Sequence, residues 1–267
     1  IRESDQGLGK REDLWVTSKL WNTYHHPDHV KPALEKTLQD LQLDYLDLYM
    51  IHFPISLEFV PFDQRYPPEW FNDPDSKEPV MIPSRVPLSD TWHSMEMLKK
   101  EGLAKHIGIC NYSSSLLHDL MSYCETKPEI LQVESHPYLT QEKLIRLAKN
   151  YGLEVTAFSP LGSLSYEELG GAEESESLLK HESIQSIAKD LDVSPAQLIL
   201  SWALNRGTSI VVKSSDEARM KENLGASIIK LDPLILDQIS ALNINKRYND
   251  PGVFCEDAFN TFFPIYE

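Results

Sequence analysis

Residues 46–51 read LDLYMI, a run with five apolar or aromatic residues in six positions. Such a nearly continuous apolar run predicts a strand that is buried on both faces of a parallel sheet. Further short runs of this kind predict strands at residues 14–18, 106–109, 130–133, 153–158 and 209–212. Because amphipathic stretches separate these runs, the pattern predicts the alternating strands and helices of an α/β fold.

Helix-start signals support this alternation. Apolar spacings of three and four predict helices at residues 28–41 and 89–101. Ser194 followed by Pro195 and Gln197 predicts a capping box, and Asp232 before Pro233 predicts a helix at residues 233–242. Ser214 with Glu217 predicts another capping box directly after a strand. No boundary signal interrupts the pattern, so a single domain is expected over residues 1–267.

The composition restricts the classes of partner. The chain of 267 residues carries 25 Lys and Arg against 41 Asp and Glu, a formal net charge of −16, which argues against nucleic acid or an anionic membrane surface as the main ligand. Its three cysteines show no zinc-ligand spacing, so no metal site is expected. The same cysteine content predicts a reducing, cytoplasmic location. No apolar run approaches the roughly 18 residues of a membrane span.

Two long connections each follow a predicted strand. Residues 53–87 contain eight prolines and several aromatic residues, and residues 159–180 contain three glycines and many glutamates. In parallel α/β folds such loops lie at the carboxyl ends of the strands, where the chemistry is usually found. Ordinary surface insertions are the alternative interpretation.

Two groups of residues could carry chemistry. Lys19 and His52 stand at the ends of consecutive predicted strands, although a solvated lysine or an ordinary rim histidine would fit the same positions. Lys213 and Arg219 flank a predicted helix start, where free N–H groups favour an anion such as a monophosphate. A simple strand-to-helix turn is the alternative there, and no GxGxxG motif supports a Rossmann site.

Six stretches, in order along the chain, are similar to the aldo-keto reductase family and especially to its xylose reductase branch. They are GKREDLWVTSKLWNTYH (9–25), LDYLDLYMIHFPI (43–55), GICNYSSSLL (108–117), LQVESHPYLTQEKLI (131–145), FSPLGS (158–163) and VVKSSDEARMKENL (211–224).

The resemblance implies a (β/α)8 TIM barrel that binds NADPH, with NADH as an alternative, and reduces an aldose or another small carbonyl compound by hydride transfer. It implies catalytic roles for Lys19, which lowers the pKa of a catalytic tyrosine, and for His52, a neutral imidazole that orients the carbonyl. The cofactor-binding residues that it implies are Cys110, Asn111, Gln132, Phe158, Ser159, Leu161, Ser163, Lys213, Ser214, Arg219, Glu222 and Asn223. Among these, Asn111 and Gln132 would hold the carboxamide, Phe158 would replace a stacking tyrosine, Lys213, Ser214 and Arg219 would hold the 2′-phosphate, and Glu222 and Asn223 would lie near the adenine. The substrate-binding residues that it implies are Trp21, Phe53 and Asn249.

The chain departs from the family pattern at its beginning. The family has two further strand-helix units there, which supply an aspartate and the proton-donating tyrosine, so we expect a barrel lacking its first two units and inactive as this fragment. The alternative is a catalytically incomplete nucleotide-binding or regulatory module. A metal-dependent sugar isomerase would need carboxylate and histidine ligands at strand ends, which the sequence lacks. A monomer or a homodimer is compatible with the sequence.

Overall fold

The computed structural model describes residues 9–73, 75–167 and 171–266, without the side chain of Ser165. Two compact units divide these residues: the first contains residues 9–131 and 251–266, and the second contains residues 132–250. Six strands are assigned in the described ranges, and the strand pairs within each unit are parallel. The α/β prediction is therefore confirmed, while the single-domain expectation stays a prediction.

The first unit contains three adjacent parallel strands: β1 (Thr17–Leu20), β2 (Leu46–Ile51) and β3 (Ala104–Cys110). Its helices are α1 (Pro27–Leu41), α2 (Leu88–Lys100), α3 (Ser114–Tyr123) and α10 (Pro251–Phe259). All six residues of β2 are buried, as the apolar run predicts. Strand β4 (Ile130–Glu134) begins in this unit and ends in the second.

The helix α1 shows how local signals and burial combine. Pro27 occupies its first turn, the His26 side chain accepts a hydrogen bond from the Asp28 N–H, and Gln42 ends it in the left-handed conformation with φ of 56°. Val30 and Leu34 are fully buried, and burying a side chain of this kind contributes about 1.5–3 kcal/mol. The helix predicted at residues 28–41 is thus confirmed to within one residue.

The second unit contains the parallel pair β5 (Glu154–Phe158) and β6 (Ser209–Val211). Its helices are α4 (Glu142–Asn150), α5 (Leu164–Glu167), α6 (Glu182–Asp190), α7 (Pro195–Asn205), α8 (Glu217–Gly225) and α9 (Pro233–Ser240). The capping box of Ser194 and Gln197 starts α7 as predicted. Its core consists of Leu178, Ile184, Ala188, Leu198, Ile199, Trp202, Ala203, Leu231 and Ile239.

Two local predictions are wrong. Strand β1 spans Thr17–Leu20 rather than residues 14–18. Leu14 and Trp15 are exposed, Trp15 at 59%, and the Trp15 ring stacks on the His106 ring instead of continuing the strand inward. Helix α8 is capped by Asp216, whose carboxylate accepts the Arg219 N–H, and not by Ser214. A carboxylate at this position also interacts favourably with the helix dipole.

The long connection at residues 53–87 has little regular structure but is packed. It contains an isolated bridge between Leu57 and Pro83, and it buries Phe53, Val60 and Met81. Within the described ranges, no helix is long and apolar enough to cross a membrane.

Gly108 lies at a close approach of β3 to the start of β4. A Cβ atom added there would lie 2.7 Å from the Ile130 carbonyl oxygen and 3.1 Å from Met50 Cγ. We therefore expect Gly108→Ala to lower the free energy of unfolding by about 1–3 kcal/mol, measured by urea denaturation. Gly171→Ala is the matched control, because its added Cβ would meet nothing closer than 3.7 Å. Equal midpoints for the two variants would contradict the close-approach argument.

Candidate active site

The register of the first three strands brings their carboxyl ends to one edge of the first unit. Lys19 pairs with Met50, Leu20 pairs with Ile51, and Ile51 pairs with Ile109. The backbone N–H of His52 then donates to the carbonyl oxygen of Leu20 at 3.0 Å. Lys19, His52 and Asn111 consequently lie at the ends of three neighbouring strands.

His52 is held in a low-polarity environment. Burial, reinforced by the nearby Lys19 ammonium, lowers the pKa of His52 to about 3. Its ring lies 5.1 Å from the Trp21 ring and 5.0 Å from the Phe53 ring, measured between centroids. The imidazole is therefore neutral at physiological pH, with one nitrogen able to donate and the other able to accept a hydrogen bond.

Four aromatic rings form a wall beside this imidazole. Trp21, Phe53 and Trp70 contact one another with centroid distances of 5.0–6.4 Å, and Phe254 lies 5.6 Å from Trp70. The Trp21 Nε1 donates to the Glu69 carbonyl oxygen at 3.2 Å, which fixes the ring. Trp21 and Phe53 were expected from the resemblance. Trp70 and Phe254 were not, because their positions far along the chain carry no local signal.

Lys19 also lines a cavity of about 300 Å³ in the first unit. The hydroxyl-bearing residues Tyr24, Tyr49 and Tyr66 share its lining. Among the described residues, Lys19 has no carboxylate within ion-pair distance. Its charge is therefore available to groups at the end of the strand, as the resemblance requires of this residue.

Cys110 is the last residue of β3 and Asn111 follows it, and their side chains have different surroundings. Asn111 is left-handed, with φ of 64°, a conformation that asparagine tolerates better than most residues. Its Nδ2 donates to the His52 carbonyl oxygen, and its Oδ1 accepts from the Tyr266 hydroxyl, both at 2.8 Å. The Cys110 side chain lies in the core against Met50, and burial raises the pKa of its thiol to about 12.

The second unit places another left-handed residue at the end of β5. Ser159 has φ of 47°, an uncommon conformation for a residue with a side chain and one that is often found at functional sites. Its Oγ lies 3.0 Å from the hydroxyl of Tyr166, and that hydroxyl also accepts from Nδ2 of Asn249 at 3.2 Å. Ser159 and Asn249, which the resemblance associates with the cofactor and the substrate, are therefore joined through Tyr166.

The remaining expected residues near β4 and β5 differ in burial. Gln132 is 7% exposed and the Ser163 side chain is buried, donating to Glu167 Oε1 at 2.8 Å. Phe158 and Leu161 are half-buried. Their cofactor contacts stay predictions.

A buried carboxylate supports the Asn249 segment. Glu134 is fully buried, and its two oxygens accept the backbone N–H groups of Tyr248 and Asn249 at 2.8 and 2.9 Å. The Nε2 of His136, also fully buried, lies 2.9 Å from Glu134 Oε1. Two hydrogen bonds from adjacent backbone N–H groups to one buried side chain hold this backbone in place. The sequence analysis does not identify Glu134, because this last residue of β4 belongs to no motif that would predict a buried carboxyl group.

The strand-to-helix turn after β6 carries the expected phosphate ligands. Lys213 and Arg219 are exposed, and neither has an acidic partner within the described ranges. The Ser214 hydroxyl accepts the Asp216 N–H at 3.1 Å. An apolar cavity of about 350 Å³ adjoins this turn, and its lining includes Val212, Ser214, Met220, Asn223 and Leu224. Lys213, Arg219 and Glu222 do not line this cavity.

Comparison with known proteins identifies the family. The model of the Aldo/keto reductase family matches residues 3–244. The chain belongs to the aldo/keto reductase family. This aldo/keto reductase is 45% identical over 265 residues to the NAD(P)H-dependent D-xylose reductase of Kluyveromyces lactis, covering 98% of the chain and 80% of that relative. It is 43% identical to the NADPH-dependent aldose reductase of Saccharomyces cerevisiae, covering 96% of the chain and 80% of that relative.

A solved structure agrees with this assignment. The aldose reductase from Schistosoma japonicum superposes with a TM-score of 0.81 at 33% identity, over 97% of this aldo/keto reductase and 77% of that chain. The expectation that two strand-helix units are absent stays a prediction. The comparisons do not support the alternative of a catalytically incomplete nucleotide-binding or regulatory module.

The environment of His52 generates a spectroscopic prediction. Lys19→Met removes a positive charge that disfavours the imidazolium, so we expect the pKa of His52 to rise above about 3 while burial keeps it below the ordinary 6.5. The imidazole resonances followed by NMR as the pH is lowered would measure this shift. Lys77→Met, which changes an exposed lysine of the same unit, is the control. An unchanged His52 titration in Lys19→Met would show that the ammonium does not act on the ring.

Proposed function

We propose that this protein is an NADPH-dependent reductase that converts the carbonyl of an aldose such as D-xylose, or of another small aldehyde, to the alcohol. The main supporting observation is the neutral His52 imidazole beside the Lys19 ammonium, at adjacent strand ends and against an aromatic wall. The similarity to xylose and aldose reductases supports the substrate class.

The residues after β6 fit an adenosine carrying a phosphate. An apolar cavity of about 350 Å³ can accept a base, and two cations without acidic partners in the described ranges can accept a phosphate. We assign the 2′-phosphate to Lys213, Ser214 and Arg219 and the carboxamide of the nicotinamide to Asn111 and Gln132. We assign the adenine to Asn223, which lines the cavity, and to Glu222, which precedes it in the chain and does not line the cavity. When bound, the cofactor supplies the hydride.

The protein side of the reaction follows from the charges at the strand ends. Neutral His52 donates a hydrogen bond to the substrate carbonyl oxygen and so orients and polarises it. By the resemblance, Lys19 lowers the pKa of the proton-donating tyrosine, which belongs to the expected additional strand-helix units and not to residues 1–267, because a nearby ammonium favours the phenolate. The aromatic wall of Trp21, Phe53, Trp70 and Phe254 excludes water from the carbonyl.

Activity is tested directly with the purified full-length protein. We expect the absorbance of the reduced cofactor to fall when NADPH is mixed with D-xylose or simple aldehydes. We further expect Lys19→Met to lower kcat by about 10²- to 10⁴-fold while the Kd of NADPH stays within about twofold. Lys77→Met is the control. NADPH binding without turnover of any substrate in the panel would overturn the proposed activity.

The phosphate assignment generates a separate prediction. Lys213→Ala or Arg219→Ala should raise the Kd of NADPH about tenfold or more and leave the Kd of NADH nearly unchanged, because only NADPH carries the additional phosphate. Cofactor fluorescence titrations measure both constants. Lys230→Ala, at an exposed lysine of the same unit, is the control. A parallel loss for both cofactors would place the phosphate elsewhere.

A further inference from the structure

The segment that follows α10 reaches the candidate active site within the first unit. The hydroxyl of Tyr266 donates to Asn111 Oδ1 at 2.8 Å, and Nδ2 of the same amide donates to the His52 carbonyl oxygen at 2.8 Å. All three residues belong to the first unit. Both polar atoms of the Asn111 side chain therefore have hydrogen-bond partners inside this unit.

The Asn111 side chain is covered in this arrangement. Asn111 is 4% exposed, so a ligand can reach its amide only if a neighbouring group moves. The His52 carbonyl is held by the end of β2, whose ladder the His52 N–H extends to the Leu20 carbonyl oxygen. Tyr266, in contrast, is half-buried and lies in irregular backbone. Of the two partners of this amide, Tyr266 is therefore the one that can leave without disturbing a strand.

The segment is anchored a few residues before Tyr266. The Oγ1 atom of Thr261 accepts the N–H of Met81 at 3.0 Å, which ties the segment to the long connection at residues 53–87. Phe263 packs against the apolar cluster that contains Met81. Residues 264–266 follow this anchor, and we call them the strap. The anchor keeps the strap beside the site, while the Tyr266 hydroxyl joins it to Asn111.

We propose that the strap is an autoinhibitory contact: the Tyr266 hydroxyl occupies the Asn111 amide and must leave before the carboxamide of the nicotinamide can bind there. This inference rests on the proposed function, which assigns the carboxamide to Asn111, and adds to it a closed state that opposes cofactor binding. The measured affinity of a ligand that binds only the open state is the intrinsic affinity reduced by the open fraction. Any change that weakens the strap contact therefore tightens the binding of the cofactor.

The test measures cofactor binding to the full-length protein by fluorescence titration. Tyr266→Phe keeps the ring and removes the hydroxyl, so we expect the Kd values of NADPH and of NADH each to fall about three- to fivefold, the effect of one hydrogen bond on the open fraction. Tyr266→Ala, which also removes the ring, should lower both values at least as much. Phe262→Ala is the matched control, because Phe262 is 70% exposed in the same segment, and it should leave both values within about twofold.

Two comparisons separate the strap from a general effect on the fold. Adenosine 2′,5′-bisphosphate carries the adenine and the 2′-phosphate of NADPH but no nicotinamide, so its Kd should be the same in the wild-type protein and in Tyr266→Phe. In an Asn111→Ala background, Tyr266→Phe should leave the Kd of NADPH within about twofold, because the strap contact has already lost its acceptor.

The outcomes distinguish the strap from the proposed function. Weaker NADPH binding in Tyr266→Phe would make Tyr266 a cofactor ligand and would overturn the strap. Unchanged Kd values, an equal change for adenosine 2′,5′-bisphosphate, or a full Tyr266→Phe effect without Asn111 would overturn it as well. If the wild-type protein and both Tyr266 variants bind neither dinucleotide, the proposed function fails and the strap inference falls with it.

Discussion

The parallel register of β1, β2 and β3 is the constraint on which the cluster of Lys19, His52 and Asn111 in the first unit depends. In a parallel sheet every strand ends at the same edge, so residues far apart in the chain meet there without any loop having to bring them together. The N–H of His52 donates to the Leu20 carbonyl oxygen, which extends the ladder by one residue and places the imidazole beside Lys19. A slip of one residue would turn each of these side chains to the opposite face.

Burial and the Lys19 charge both lower the pKa of His52 at this edge of the sheet. Burial disfavours a charged imidazole, and the Lys19 ammonium disfavours it further, so His52 is neutral while Lys19 carries the local charge. Two cations side by side would repel each other and would leave no acceptor for a hydrogen bond. A cationic side chain beside a neutral hydrogen-bond donor can stabilise a carbonyl on whose oxygen negative charge develops.

The sequence predicts those features whose cause is local. The apolar run of β2 and the Ser194 capping box are recognisable because burial and capping each depend on a few adjacent residues. The sequence predicts Ser214 as the N-cap of α8, but the N-cap is Asp216. Both residue types can cap a helix, and the position at which the backbone becomes helical determines which of them does so. Trp70 and Phe254 could not have been predicted as neighbours of Trp21, because no short-range pattern reports contacts between segments so distant in the chain.

Glu134 illustrates a different limit of sequence reasoning. A carboxylate at the end of an apolar strand suggests solvent exposure, yet this one is fully buried with two backbone donors and His136 around it. A buried carboxyl group without hydrogen-bond partners is destabilising, so the Glu134 side chain and the N–H groups of residues 248 and 249 depend on each other. That mutual requirement makes the Asn249 segment a rigid support.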